Sequence, residues 1–212
     1  MERYIDYAAW PRKELFEFFG AVSNPFYMVT FRQDVTALRR YCKEHAISFY
    51  YGLVYLCCKA LMDVPEFSLR IRGEKIAVLE TLKPSFTDLK KGSELFHIVT
   101  MPCEGGIMEF CRNAKEKSSR QDYFIDAAGQ TDGLVYFSCL PWMDVTAVTN
   151  ERDLSAPGAR DDSIPRICWG KYREENGRTT LGLSIEVNHR LIDGVHIGLF
   201  AQALTRRIEE IS

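Results

Sequence analysis

Apolar residues recur along this chain in two rhythms, and the change from one to the other is sharpest near its end. Leu181-Gly-Leu-Ser-Ile-Glu-Val187 alternates apolar and polar, the pattern of a half-buried strand. From Val195 to Ile211 the period lengthens, and Ile197, Phe200, Ala201, Leu204, Ile208 and Ile211 fall on one helical stripe. Between the two lies Asn188-His-Arg-Leu-Ile-Asp-Gly194, with a histidine and a carboxylate four residues apart and a glycine to close. Aspartate before glycine by itself suggests a hairpin turn, and a lone inward histidine is most often a hydrogen-bonded core residue. A returning strand should alternate, however, and the stripe after Gly194 does not. If the strand runs on through His189, its parity puts the imidazole on the side of Leu183, Ile185 and Val187. There it is placed to serve as a base in a crevice.

The rest of the chain reads in the same terms. Trp10 to Phe19 opens a short helix with Pro11 near its start, where a missing N–H costs little. Phe26 to Phe31 is a strand, and Asp34 to Ala46 a helix capped by Asp34 or Thr36. Ser48 caps a helix through Met62 that is apolar nearly all round and therefore central, and Pro65 marks its end. Glu66–Ile71 and Lys75–Leu79 flank Arg72-Gly73-Glu74 as a hairpin. Cys103 to Ser119 is a surface helix, in which Lys115 and Lys117, with Arg120 after them, form a solvated charge run. Leu134 to Leu140 is a strand stopped by Pro141. Asn150 to Pro165, rich in charge, proline and glycine, is a loop or an irregular edge. Ile164 to Tyr172 is a further strand, and Glu175-Asn-Gly-Arg178 turns into the strand at Leu181.

Composition narrows the function classes. At 212 residues and 46% hydrophobic, with no internal repeat or linker, the chain is expected to form a single domain over 1–212. A net charge of −2 shows no basic excess, which argues against a nucleic-acid partner. The longest near-apolar run, Phe49 to Cys58, is too short to span a bilayer, and Met1-Glu-Arg-Tyr lacks a signal peptide's apolar core. A cytoplasmic protein without a membrane partner is therefore expected. Seven cysteines without a CxxC pair, and four histidines without an HExxH, predict reduced thiols and no metal site.

Three motifs, with two further stretches beside them, carry a family resemblance. His189-xxx-Asp193-Gly194, strand before and helix after, resembles the HxxxDG signature shared by chloramphenicol acetyltransferases and dihydrolipoyl acyltransferase cores, and Val195-His-Ile-Gly198 is similar to the "FHVG" that follows it in the former. Trp10-x-Arg12-Lys13-Glu14 resembles that family's "WxRxEHF", with Leu15 in place of the histidine. Ser138-x-x-Pro141-Trp142 matches its "SxxPW". Ile164 to Tyr172 is similar to its "PxxTMGKY", with Cys168 for threonine. Phe86 to Lys90 and Ser93 to Phe96 align with "FTVFHxxTxTFS", with Asp88 for valine and Lys90 for histidine. Asn188 stands where most relatives have a histidine, and Asn150 to Pro165 departs from the apolar "FNLNVAN" run. The glycine-rich "TFTISN" string of the dihydrolipoyl cores is absent from the chain.

The resemblance implies an α/β fold, a mixed sheet flanked by helices in a two-layer sandwich, assembled as a homotrimer with each site at a subunit boundary. It implies acetyl-CoA as co-substrate, no permanently bound cofactor, and a small hydroxyl-bearing acceptor such as chloramphenicol entering from the other side. His189 would be the general base, acting on the acceptor without an acyl-enzyme, and Ser138 would donate to the tetrahedral intermediate. Asp193 would be an anchor paired with Arg12. Trp142, Cys168, Lys171 and Tyr172 would lie along the cofactor path, and Phe18, Phe19 and Phe96 would face the acceptor. Asn188, pointing away from His189 by strand parity, would take a supporting role. Two other readings fit the sequence: an acyltransferase of this fold with a different hydroxyl or thiol acceptor, and a non-catalytic CoA or small-molecule binder.

Overall fold

The structure is a computed structural model describing residues 3–90 and 92–211. In chain order it runs β1 (Arg3–Tyr4), α1 (Lys13–Ala21), β2 (Phe26–Asp34), α2 (Thr36–Glu44) and α3 (Phe49–Met62). Then come β3 (Leu69–Arg72), β4 (Lys75–Val78), β5 (Lys83–Leu89), β6 (Phe96–Thr100) and α4 (Ile107–Arg120). Last are β7 (Leu134–Leu140), β8 (Arg166–Gly170), β9 (Arg173–Glu175), β10 (Arg178–Asn188) and α5 (Gly194–Glu209).

The main sheet has the order β2-β10-β8-β7-β5-β6, with β9 paired to the start of β10, and a small sheet has the order β1-β4-β3. Only β8–β7 and β7–β5 are parallel, so the main sheet is mixed, as expected. Its core face is built from strand parity. Phe31, Leu183 and Trp169 lie in register across β2, β10 and β8, and Phe137, level with Phe86 and Ile167, packs on Trp169 from two residues along the same face. Helices α3 and α5 close over this face, with Phe200 against Phe31 at 6.3 Å and Tyr50 against Trp169 at 5.4 Å between ring centroids. Ser48 caps α3 by accepting from Tyr51 N–H, and the helix buries Tyr51, Leu53, Val54, Leu56, Cys57 and Leu61.

β10 departs from the half-buried expectation. Its alternate residues Ser184, Glu186 and Asn188 are also buried, because the chain from Pro141 to Pro165 folds back across the second face. The side chains of these three strand residues all find partners there, as burial demands. Ser184 shares a hydrogen bond with Thr30 at 2.7 Å. Glu186 accepts from Asn150 N–H and from Arg152 Nε, the latter at 2.5 Å. Asn188 donates to the carbonyls of Arg160 and Asp162. Val145 lies so close over the sheet that a Cβ at Gly170 would come within 2.7 Å of Met143 O, and one at Gly182 would strike Val145 O. Glycine is what lets the two layers touch here.

Several boundaries differ from the sequence reading. Pro11 precedes α1, whose N-cap is Arg12, so the helix starts three residues after Trp10. The segment Glu66–Ser68 is part of a single tight turn of helix, not a strand, because Pro65 opens it. α4 begins only at Ile107, past Gly105 in the left-handed region. β10 ends at Asn188, so His189 belongs to the turn that follows.

Candidate functional site

The turn between β10 and α5 is gathered around Arg12. This arginine is 9% exposed and stands at the N-terminus of α1. Its Nη1 and Nη2 each contact one oxygen of Asp193, the Nη2–Oδ1 distance being 2.8 Å. Its remaining donors go to backbone carbonyls of the same turn, Nη2 to His189 O at 2.7 Å and Nε to Arg190 O at 2.9 Å. Asp193 is also the N-cap of α5, in a reciprocal box where its backbone N–H donates to His196 Nδ1 at 2.8 Å. The Arg12 guanidinium holds the Asp193 carboxyl below the usual carboxylate range, although burial opposes it.

His189 is held by this frame. Its backbone N–H donates to Pro25 O, and its Nε2 lies 3.3 Å from Asp193 Oδ1. The imidazole stacks on Phe19 of α1 at 3.7 Å and tilts against Tyr27 of β2 at 4.2 Å. Burial lowers its pKa, and Asp193 only partly offsets that. Tyr27 donates to Ile192 O, and burial pushes its own hydroxyl up to about 12. Phe18 meets Phe19 edge to face and is itself 66% exposed. Arg12, His189, Asp193 and Phe19 are thus brought together, with Phe18 at their edge.

A second group gathers at the ends of β5 and β7. A cavity of about 390 Å³ is lined by Ser138, Phe96 and Trp142 together with Tyr50, Asp88 and Leu89, among others. Cys168 pairs in register with Ser138, and burial raises its thiol pKa while the Ser138 hydrogen bond opposes that rise. Lys171 and Tyr172 are not among this cavity's lining: Lys171 is exposed, and Tyr172 packs on Phe49 at 5.7 Å beneath Arg39.

The chain does not bring its two groups together. Ser138 is level with Cys168, and Cys168 with Ser184, four residues before Asn188. That spacing puts Ser138 roughly 13 Å up the sheet and roughly 10 Å across it from the end of β10. Ser138 also shares the face of Ser184, whereas the His189 ring rests on Tyr27, which pairs with Val187 on the opposite face.

Sequence reasoning missed three features of this region. Tyr27 was hidden in an ordinary strand, and its contact with His189 depends on β2 pairing with β10. The His196 box had a readable signal, a side-chain acceptor three residues after an aspartate at a helix start. The hydrogen bonds that hold Asp88, from Tyr51 and Ser118, come from two different helices and had none. Among the described residues no group of three or more His, Cys, Asp or Glu side chains could hold a metal ion, and no helix is long and apolar enough to cross a membrane.

Known proteins resemble this chain in sequence and fold. Chloramphenicol acetyltransferase 3 of Escherichia coli is 27% identical over 203 residues, covering 94% of this chain and 93% of its own. A chloramphenicol acetyltransferase of Bacillus pumilus is 26% identical over 93% of this chain and 90% of its own. A solved chloramphenicol acetyltransferase superposes with a TM-score of 0.86 at 24% identity, covering 98% of this chain and all of its own. A probable dihydrolipoamide acetyltransferase from Listeria monocytogenes gives 0.70 at 16% identity, over 96% of this chain and 93% of its own. The sequence family described as chloramphenicol acetyltransferase matches residues 2–205. With nearly the whole chain matched, and with the Arg12-bound turn in place, the chain belongs to the chloramphenicol acetyltransferase family.

Proposed function

We propose that the protein transfers the acetyl group of acetyl-CoA to a hydroxyl of chloramphenicol or a related small acceptor, at a site shared between two chains of a homotrimer. The observation that carries this reading is the His189 imidazole, fixed at the family's HxxxDG turn by Arg12 and Asp193 and stacked on Phe19. The nearly full-length relatives named for this activity support it.

The chemistry needs few groups. The acceptor hydroxyl attacks the thioester carbonyl while neutral His189 takes its proton, a task suited to an imidazole whose pKa lies below its ordinary value. The Ser138 hydroxyl then donates to the developing oxyanion, a contact whose loss in other enzymes costs roughly 2.7–4 kcal/mol. As the tetrahedral intermediate collapses, the C–S bond breaks and the proton passes from His189 to the departing thiolate. No acyl-enzyme forms. Trp142 and Cys168, beside Ser138, line the thioester's approach. Phe18 and Phe19 face the acceptor from one chain, and Phe96 faces it from the next.

The distance between His189 and Ser138 within one chain supports a site shared between chains. Exposed Phe18, Trp142, Met143 and Val195 supply apolar surface for such an assembly to cover.

Release of free thiol from acetyl-CoA, followed with and without chloramphenicol, tests the reading. Release should depend on the acceptor, with no burst in its absence, and His189→Ala should lower kcat by at least about 10²-fold in a folded protein. Near-normal turnover by His189→Ala would sink the mechanism, and an absence of thiol release under every condition would sink the activity.

A further inference from the structure

Asp88 puts a carboxylate into the wall of the cavity that also holds Ser138, and among the described residues it makes no ion pair. The residue stands near the end of β5 and is half-buried. Its Oδ2 accepts two hydroxyl hydrogen bonds, from Tyr51 of α3 at 2.5 Å and from Ser118 of α4 at 2.6 Å. Ser118 is tied in turn to His97 Nε2 at 3.0 Å, and His97 is the cross-strand partner of Asp88. Tyr51, Ser118 and His97 are all buried, so the carboxylate is held from behind by a rigid frame. Both protein donors go to Oδ2, and among the described residues no hydrogen bond or ion pair reaches Oδ1.

Beyond Tyr50, Thr87 and Ser138, the rest of the described wall is apolar or acidic. Leu89, Phe96, Leu140, Pro141 and Trp142 supply hydrocarbon and aromatic surface, and the other charged residue is Glu94. Among the described residues no lysine, arginine or histidine lines the cavity, and Lys90, two residues on from Asp88, is exposed outside it. A neutral ligand filling this space would strip water from an uncompensated carboxylate, which is costly. A ligand carrying a cation would offset that loss through Asp88, and would gain further from the faces of Phe96 and Trp142.

We propose that Asp88 selects the acceptor, and that the preferred acceptor class is an amino alcohol with an apolar or aromatic body, whose ammonium pairs with Asp88 Oδ1. This rests on the acyl-transfer reading above and adds the substrate class to it. The pairing also sets the product. An ammonium held by a carboxylate keeps its proton and has no lone pair to attack, so the hydroxyl is the nucleophile. The O–C bond forms, the C–S bond breaks, and the proton ends on the thiol of CoA. The product is an ester that retains a free ammonium.

The test uses a matched pair of acceptors, chloramphenicol and the free amine left when its dichloroacetyl group is removed. They share the nitrophenyl diol and differ in the dichloroacetyl group and in charge, and the change of preference in Asp88→Asn isolates the charge. Equilibrium binding of each is measured to the wild type and to Asp88→Asn, which keeps an oxygen for Tyr51 and Ser118 and should preserve the fold. Initial rates are then measured for both acceptors. The amine should bind the wild type more tightly than chloramphenicol does. Asp88→Asn should weaken the amine at least about 10-fold in binding and in KM, and should tighten the binding of neutral chloramphenicol. Equal binding of the two acceptors to the wild type, or an unchanged preference in Asp88→Asn, overturns the proposal. If thiol release is absent for both acceptors while the amine's Asp88-dependent binding is present, the catalytic reading fails and this one stands.

Discussion

Arg12 and Asp193, 181 residues apart in sequence, meet as two forks, each guanidinium terminus on its own carboxylate oxygen. The same arginine satisfies the carbonyls of His189 and Arg190, so one side chain holds the base's backbone and the start of α5 together. Removing one member leaves the other charged and poorly solvated, and 27% exposure of the Asp193 side chain puts the loss at the low end of the range for buried pairs, about 3 kcal/mol. For a chain of this size that corresponds to a fall in Tm of about 6–12 °C. Asp193→Ala should therefore lose stability and rate together, whereas Ser138→Ala should lose rate with little change in Tm. Thermal unfolding beside initial rates checks both. An unchanged Tm in Asp193→Ala would show that the fork carries no structural load.

The pH profile follows from the sign of the His189 shift. Burial lowers its pKa below the ordinary 6.5, with Asp193 opposing. The neutral, proton-accepting form is therefore populated further into acid than an exposed histidine would allow. The acid limb of kcat/KM should have its midpoint below 6.5, with the rate rising as pH rises through it. The stability sign agrees: a histidine harder to protonate when folded stabilises above the unfolded pKa, and that contribution is lost as pH falls toward the folded one. A midpoint at or above 6.5 would contradict the burial seen here.

The stretch Asp88-Leu89-Lys90 supplies a third prediction. Replacing it with the relatives' Val-Phe-His should raise kcat/KM for chloramphenicol, because the cavity loses an uncompensated carboxylate and gains apolar wall. The structure adds a cost. Tyr51 and Ser118 lose the acceptor they share, at about 1–3 kcal/mol for each buried hydroxyl left unpaired. The triple variant should thus turn over chloramphenicol faster yet melt lower than the wild type. A lower rate at unchanged stability would show that this stretch does not shape the acceptor wall.

Much of this was legible in the sequence because it is local. The alternation at Leu181–Val187 gives β10, the stripe from Ile197 to Ile208 gives α5, and Ser48 caps α3 at the residue expected. The pairing of Arg12 with Asp193 was legible only through family motifs, since no spacing rule reaches across the chain. What stayed hidden depends on which strands become neighbours. Glu186 and Asn188 look like a solvent face, yet they are buried because the segment from Asn150 to Pro165 brings Arg152, Arg160 and Asp162 to meet them. A charge-rich stretch reads as surface unless its partners are known, and here those partners lie on a strand more than twenty residues further on.

The separation of His189 from Ser138 within one chain has a consequence for heredity as well as for chemistry. If the site is shared between chains as proposed, two defective copies of the gene, one encoding His189→Ala and the other Ser138→Ala, carry their lesions on different walls of it. Neither product alone has an intact site. When both are made in one cell and assemble at random into rings of three, each junction receives a sound histidine from one side and a sound serine from the other in about one case in four. Co-expression should therefore restore about a quarter of the wild-type specific activity, and mixing the purified, already assembled variants should restore far less until the rings exchange subunits. Allelic complementation of this kind is the outcome expected of a site divided between chains, and its absence would place both residues in the service of a single one.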